Sequence, residues 1–91
     1  MGHLTTDSSA LLKRVRRIAG QVAAIERSIE EGAACGSILH LIAATRGAMN
    51  GLLDEVVEAH IREHVARPDI DEAERMRAAE EVIEAFRRYS K

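Results

Sequence analysis

CGSILHLIAATRGAMNGLLDEVVEAHIREH, residues 35–64, places apolar side chains at Ile38, Ile42, Met49, Leu52 and Val56, with Thr45 in the one gap. These recur at helical spacing, and Leu39, Gly47, Leu53, Val57 and Ile61 widen the stripe on either side. The pattern predicts one long helix from Cys35 to His64, with Gly36 or Ser37 suited to opening it and Pro68 forbidding its extension far past Val65. About thirty residues without an internal proline exceeds the length of most globular helices. So broad a stripe needs neighbours on more than one side, as in a bundle or coiled coil.

The reactive side chains stand at the two ends of this segment. His60 and His64 are four apart, so both imidazoles leave one face of a helix, the spacing by which a helix offers two nitrogens to one metal. Glu63 lies beside them as an oxygen ligand or a hydrogen-bond acceptor for a coordinating imidazole. Cys35 precedes His60 by roughly 37 Å at 1.5 Å per residue, too far to join it within one helix. A site using both needs a second copy of the chain, laid antiparallel. Taken alone, Cys35 reads equally well as a small packing thiol near a turn, and the histidine pair as a polar helix end.

The rest of the chain arranges itself around this segment. Residues 1–6 form a short arm, and Asp7, Ser8 or Ser9 can cap a first helix whose Leu11, Val15, Ile18, Val22, Ile25 and Ile29 alternate steps of four and three. Gly32 suits its C-terminal stop, and Gly20 within it marks a close helix contact or a DNA-facing surface. The short link to Gly36 makes the first two helices antiparallel neighbours. That topology carries His3 toward His60 and His64. After Pro68 a third helix is expected, with acidic residues first, Arg87, Arg88 and Lys91 last, and Met76, Ala79, Ile83 and Phe86 as its apolar seam. No strand pattern or internal repeat occurs, so residues 1–91 read as one all-α domain.

Ninety-one residues with one Phe, one Tyr and no Trp hold little aromatic area, which favours burial by oligomerisation. No apolar run is long enough to span a membrane. Basic residues interrupt the N-terminal region where a signal peptide needs an apolar segment, and the one cysteine fits a reducing cytoplasm. The formal charge of −2 is divided unevenly: residues 1–29 carry five basic side chains against two acidic, and residues 30–91 eight against thirteen. A polyanion would therefore meet the first helix. Lys13, Arg14, Arg16 and Arg17 make up most of that excess, with Arg14, Arg17 and Gln21 read as one ridge away from the Leu11 to Ile29 seam and Arg46 extending it. A solvated helix face is the simpler account of such a run. No nucleophile elbow, glycine-rich phosphate loop or HExxH motif is present, and the chain reads as a non-enzyme.

RVRRIAGQVAAIERSIEEG, then Cys35, then LIAATRGAMNGLLDEVVEAHIREH resembles the CsoR/RcnR/FrmR family of bacterial metal- or formaldehyde-responsive transcriptional repressors over about residues 11–65. The resemblance implies a three-helix protomer, an antiparallel four-helix-bundle dimer, a homotetramer, and operator DNA released on effector binding. It favours the nickel/cobalt branch, whose N-terminal histidine, cysteine and two histidines match His3, Cys35, His60 and His64. A sulfur with imidazoles suits Ni(II), Co(II), Zn(II) or Cu(II) better than Cu(I). The copper branch carries a second cysteine where this chain has His64. The formaldehyde branch joins an N-terminal proline amine to the cysteine, whereas this chain has Gly2, which after loss of Met1 still presents an amine. His40 replaces a glutamine usual in these relatives. From another class, a helical metal-binding or adaptor module without DNA binding, or a small bundle metalloenzyme, is weighed against the repressor by the basic ridge.

Overall fold

The computed structural model describes residues 8–89 and contains three helices, α1 (Ser8–Glu30), α2 (Cys35–His64) and α3 (Glu72–Tyr89), with no strand among them. Of the described residues, 8–54 form one compact unit and 55–89 another. The helical stop after α1 is set by Gly32, whose φ of 72° is the left-handed conformation that disfavours a side chain. Its amide donates to the Ile29 carbonyl at 3.1 Å and the Ala33 amide donates to the Ser28 carbonyl at 2.9 Å. Together these form the Schellman arrangement that satisfies the last carbonyls of a helix. α2 begins earlier than Gly36 or Ser37. The amides of Ser37 and Ile38 both donate to the Ala34 carbonyl, so Cys35 already occupies the first turn.

In the unit of residues 8–54, Arg14 of α1 reaches Gly51 of α2, which pairs the two helices antiparallel about their short link. The expected seam of α1 divides. Ile18 is only 5% exposed and Leu11 and Ile25 are half-buried, whereas Val15, Val22 and Ile29 are exposed. Alternating steps of four and three straddle two faces of a 3.6-residue helix, and a single neighbour covers one of them. α2 divides in the same way, with Ile38, Leu41, Thr45, Ala48 and Leu52 half-buried and Leu39, Ile42, Met49 and Leu53 exposed. Thr45 fits the apolar stripe because its hydroxyl donates to the Leu41 carbonyl one turn back at 2.8 Å. Gly20 meets no neighbouring side chain or helix, so it marks no close contact within the described residues.

In the unit of residues 55–89, α3 packs through a different face from the one its large apolar residues mark. Ala78 is 5% exposed, and Arg75, Ala79 and Val82 are half-buried, while Met76, Ile83 and Phe86 are exposed. Small residues let the helix approach α2 closely and contribute little to an apolar pattern. The turn before α3 is held by polar contacts. Arg75 donates from Nη2 to the carbonyls of Arg67 at 2.8 Å and Ile70 at 3.2 Å. Arg67 and Asp69 form a two-pronged exposed pair, whose hydrogen bonds hold the Asp69 carboxyl below and the Arg67 guanidinium above their usual values. Asp71 caps α3, its Oδ1 accepting from the Glu74 amide at 3.1 Å. Asp71→Ala should lower stability by about 1 kcal/mol, read as a lower urea midpoint with an unchanged slope.

Candidate functional site

The geometry at the end of α2 starts with which nitrogen of His60 carries a proton. His60 Nε2 lies 2.9 Å from the Ala78 carbonyl of α3. A carbonyl only accepts, so Nε2 donates and carries the hydrogen, which in the neutral ring leaves the lone pair on Nδ1. Behind the same nitrogen, Glu81 Oε2 stands 3.7 Å away. The ring is thus anchored through Nε2, and its side chain is 17% exposed. A metal would be offered Nδ1 by an imidazole whose orientation is already fixed.

His64 lies one turn further on. The two ring centroids are 5.3 Å apart with planes inclined at 54°, so both imidazoles can serve one ion. Glu63 Oε2 is 4.0 Å from His64 Nε2, and the two side chains are 13% and 22% exposed respectively. All three side chains are therefore partly withdrawn from water. Among the described residues, however, no three His, Cys, Asp or Glu side chains stand together closely enough to hold one metal ion. Cys35 is exposed in the first turn of α2. The continuous helix separates it from His60 by roughly 37 Å of axial rise. His3 lies outside the described residues. His40 is exposed on α2.

The basic residues of α1 do not form one solvent-facing ridge. Lys13, Arg16 and Arg17 are exposed, as is Arg46 on α2, but Arg14 and Gln21 are half-buried. They lie on the Ile18 side of α1, at spacings of four and three that repeat the helical period. The Gln21 Oε1 is buried without a hydrogen-bond partner. This differs from the expectation that Arg14, Arg17 and Gln21 share a face opposite the seam. The seam is wide enough that Arg14, at its edge, lies against α2.

The Ala78 carbonyl, Glu81 and the approach of Arg14 to Gly51 leave no mark in the sequence. A backbone acceptor has no residue signature, Glu81 sits among several exposed carboxylates, and a glycine inside a helix does not reveal its neighbour.

A family model described as metal-sensitive transcriptional repressor matches residues 7–88. The chain is 45% identical to a Serratia marcescens protein described as an uncharacterized protein in the bioA 5' region, over the whole of both chains. It is 36% identical to the transcriptional repressor RcnR of Salmonella paratyphi B, again over all of both. A solved structure of a glutamate-to-histidine variant of the formaldehyde-responsive regulator FrmR from Salmonella enterica serovar Typhimurium superposes with a TM-score of 0.86 at 42% identity. That match covers 97% of this chain and 99% of the other.

Proposed function

Because the chain belongs to the metal-sensitive transcriptional repressor family, whose members are DNA-binding regulators and not enzymes, we propose that it represses an efflux gene and releases its operator on binding Ni(II) or Co(II). The observation that carries the metal reading is the His60 tether. Its Nε2–H bond to Ala78 leaves the Nδ1 lone pair available to a metal, and a second imidazole stands one turn away. Two imidazoles, one thiolate and His3 form a donor set of mixed softness, suited to Ni(II), Co(II) or Zn(II) more than to Cu(I). Glu63 supplies an oxygen ligand or orients His64.

The missing sulfur comes, in this reading, from Cys35 of a second copy, since one continuous α2 keeps Cys35 and His60 at opposite ends. An antiparallel homodimer with two shared sites follows, and dimers pair into the homotetramer. Lys13, Arg16, Arg17 and Arg46 face solvent and can meet operator phosphates, with Arg14 and Gln21 at the edge of that surface. The site of action is the cytoplasm, where the operator lies. No helix among the described residues is long and apolar enough to cross a membrane.

A second reading, formaldehyde sensing through Cys35 and the N-terminal amine, is favoured by the 42% identity to a formaldehyde-responsive regulator and by the exposure of the thiol. One experiment separates the two. A gel shift on the promoter duplex upstream of the protein's own gene, with Ni(II), Co(II), Zn(II), Cu(I) and formaldehyde added separately, should show release with Ni(II) or Co(II). Release by formaldehyde alone would transfer the assignment. Failure to shift the duplex at low salt would remove the operator from the function.

A further inference from the structure

Residues 65–71 join the histidine end of α2 to α3, and the place of α3 along α2 depends on how that turn is held. Its backbone lies outside both helical ladders, so its carbonyls need donors from elsewhere. Arg75 supplies them. One nitrogen, Nη2, donates to the Arg67 carbonyl at 2.8 Å and to the Ile70 carbonyl at 3.2 Å, while Nη1 stands 3.4 Å from Glu72 Oε2. The Arg75 side chain is 29% exposed, and its Nε is buried without a hydrogen-bond partner. A guanidinium drawn in so far that one N–H goes unmet is held by the carbonyls and not by water. The pair with the exposed Glu72 adds little. Along α3, Arg75, Ala78, Ala79 and Val82 recur at spacings of three and four and are all buried or half-buried. The clamp therefore stands one turn before the residue whose carbonyl meets His60 Nε2 at 2.9 Å.

We infer that Arg75 is a positioning residue for the candidate metal site: by tying the carbonyls of the turn to α3, it sets the register of α3 on α2 and keeps the Ala78 carbonyl on His60 Nε2. This rests on the metal reading above. A slide of α3 by one residue's rise, about 1.5 Å, would lengthen or bend the His60 bond beyond good geometry. Arg75 itself offers a metal nothing, since a guanidinium has no lone pair to give. Its effect passes through Ala78 to the orientation of the imidazole. An imidazole whose outer nitrogen has lost its acceptor is free to turn, and a ligand that must be ordered on binding holds its ion less tightly. The exposed pair of Arg67 and Asp69 in the same turn has no such reach, because it joins two residues of the turn to each other.

The test compares Arg75→Met with Asp69→Ala in the full chain. Methionine keeps an unbranched apolar stem and a strong helix preference and removes every donor, whereas alanine at position 69 removes only the exposed pair within the turn. The first readout is the Nε2 proton of His60 in metal-free protein at about pH 8, above the usual imidazole range. A proton held on a carbonyl exchanges slowly with water, so its resonance should be resolved in the wild type and in Asp69→Ala. In Arg75→Met it should be lost to exchange, with the backbone amides of α1 exchanging as in the wild type. Co(II) affinity should fall about tenfold in Arg75→Met, the low end of the range for an outer partner of a coordinating histidine, and stay unchanged in Asp69→Ala. If Arg75→Met lacks the wild-type helical circular dichroism, Arg75→Gln carries the same test with the same expected losses, because its amide ends two bonds short of Nη2. Absence of the resonance in the wild type, its survival in the Arg75 variant, equal losses in Asp69→Ala, or α1 amides that loosen in step would overturn the inference. A wild-type protein that binds no Co(II) would remove the metal reading. The metal-free resonance would then show separately whether Arg75 holds Ala78 on His60.

Discussion

Cys35→Ala and His60→Ala proteins should each lose tight Co(II) binding, and refolding the two together should restore it. The argument is geometric. α2 is continuous from Cys35 to His64, and a rise of 1.5 Å per residue sets roughly 37 Å between the thiol and the first imidazole, far beyond any metal–ligand bond. If each site takes Cys35 from one copy and His60 and His64 from the other, either substitution removes a direct ligand from every site of its homodimer. The loss should exceed the ten- to hundredfold typical of removing an outer hydrogen-bond partner. In a mixed dimer, one site lacks both ligands and the other is intact. Such dimers should bind one Co(II) tightly, with the thiolate-to-Co(II) absorption band returning in proportion to their fraction. A mixture that binds no better than its parents would return Cys35 to a packing role and leave His60 and His64 as a site without sulfur.

What the sequence revealed and what it hid follow from how each signal arises. The extent of α2, the stop at Gly32 and a third helix after Pro68 were legible because periodicity, a glycine at a helix end and acidic residues in a first turn are local signals; the cap at Asp71 was not read from the sequence. The histidine pair was legible for the same reason, since a spacing of four fixes a shared face. Which side of each helix is covered was not. Val15, Val22, Ile42 and Met49 share their apolar character with Ile18 and Ile25, and only tertiary packing distinguishes the face that meets α2 from the face that remains exposed. The same ambiguity put Arg14 and Gln21 on the wrong side of α1. In α3 the misleading signal was size, because Met76, Ile83 and Phe86 outweigh Ala78 in any apolar pattern, yet it is Ala78 that is buried. The tautomer of His60 depends on a backbone carbonyl contributed by another helix, and no spacing rule reaches it.

Ile42→Lys should abolish both association and cooperative unfolding. Among the described residues, only Ile18 and Ala78 are buried apolar residues, which is far too little core to offset the conformational entropy of ordering three helices. In the unit of residues 8–54, Leu12, Val15, Val22 and Ile29 on α1 and Leu39, Ile42, Met49 and Leu53 on α2 each keep between 44% and 62% exposure. Covering the remainder of such a side chain contributes roughly 1 kcal/mol apiece, and a second copy would cover the set on both chains at once. Stability should then depend on protein concentration, with the unfolding midpoint rising as the protomer concentration rises. An ammonium at position 42 would have to be desolvated at the centre of that surface, and an unpaired buried charge is among the most costly substitutions. The Ile42→Lys protein should sediment as a monomer at micromolar concentration and lose most of its helical circular dichroism. Glu26→Lys, on an exposed polar position of α1, should leave both unchanged. An Ile42→Lys protein that remains helical and melts cooperatively as a monomer would show that the chain folds alone, and would remove the dimer on which the shared metal site depends.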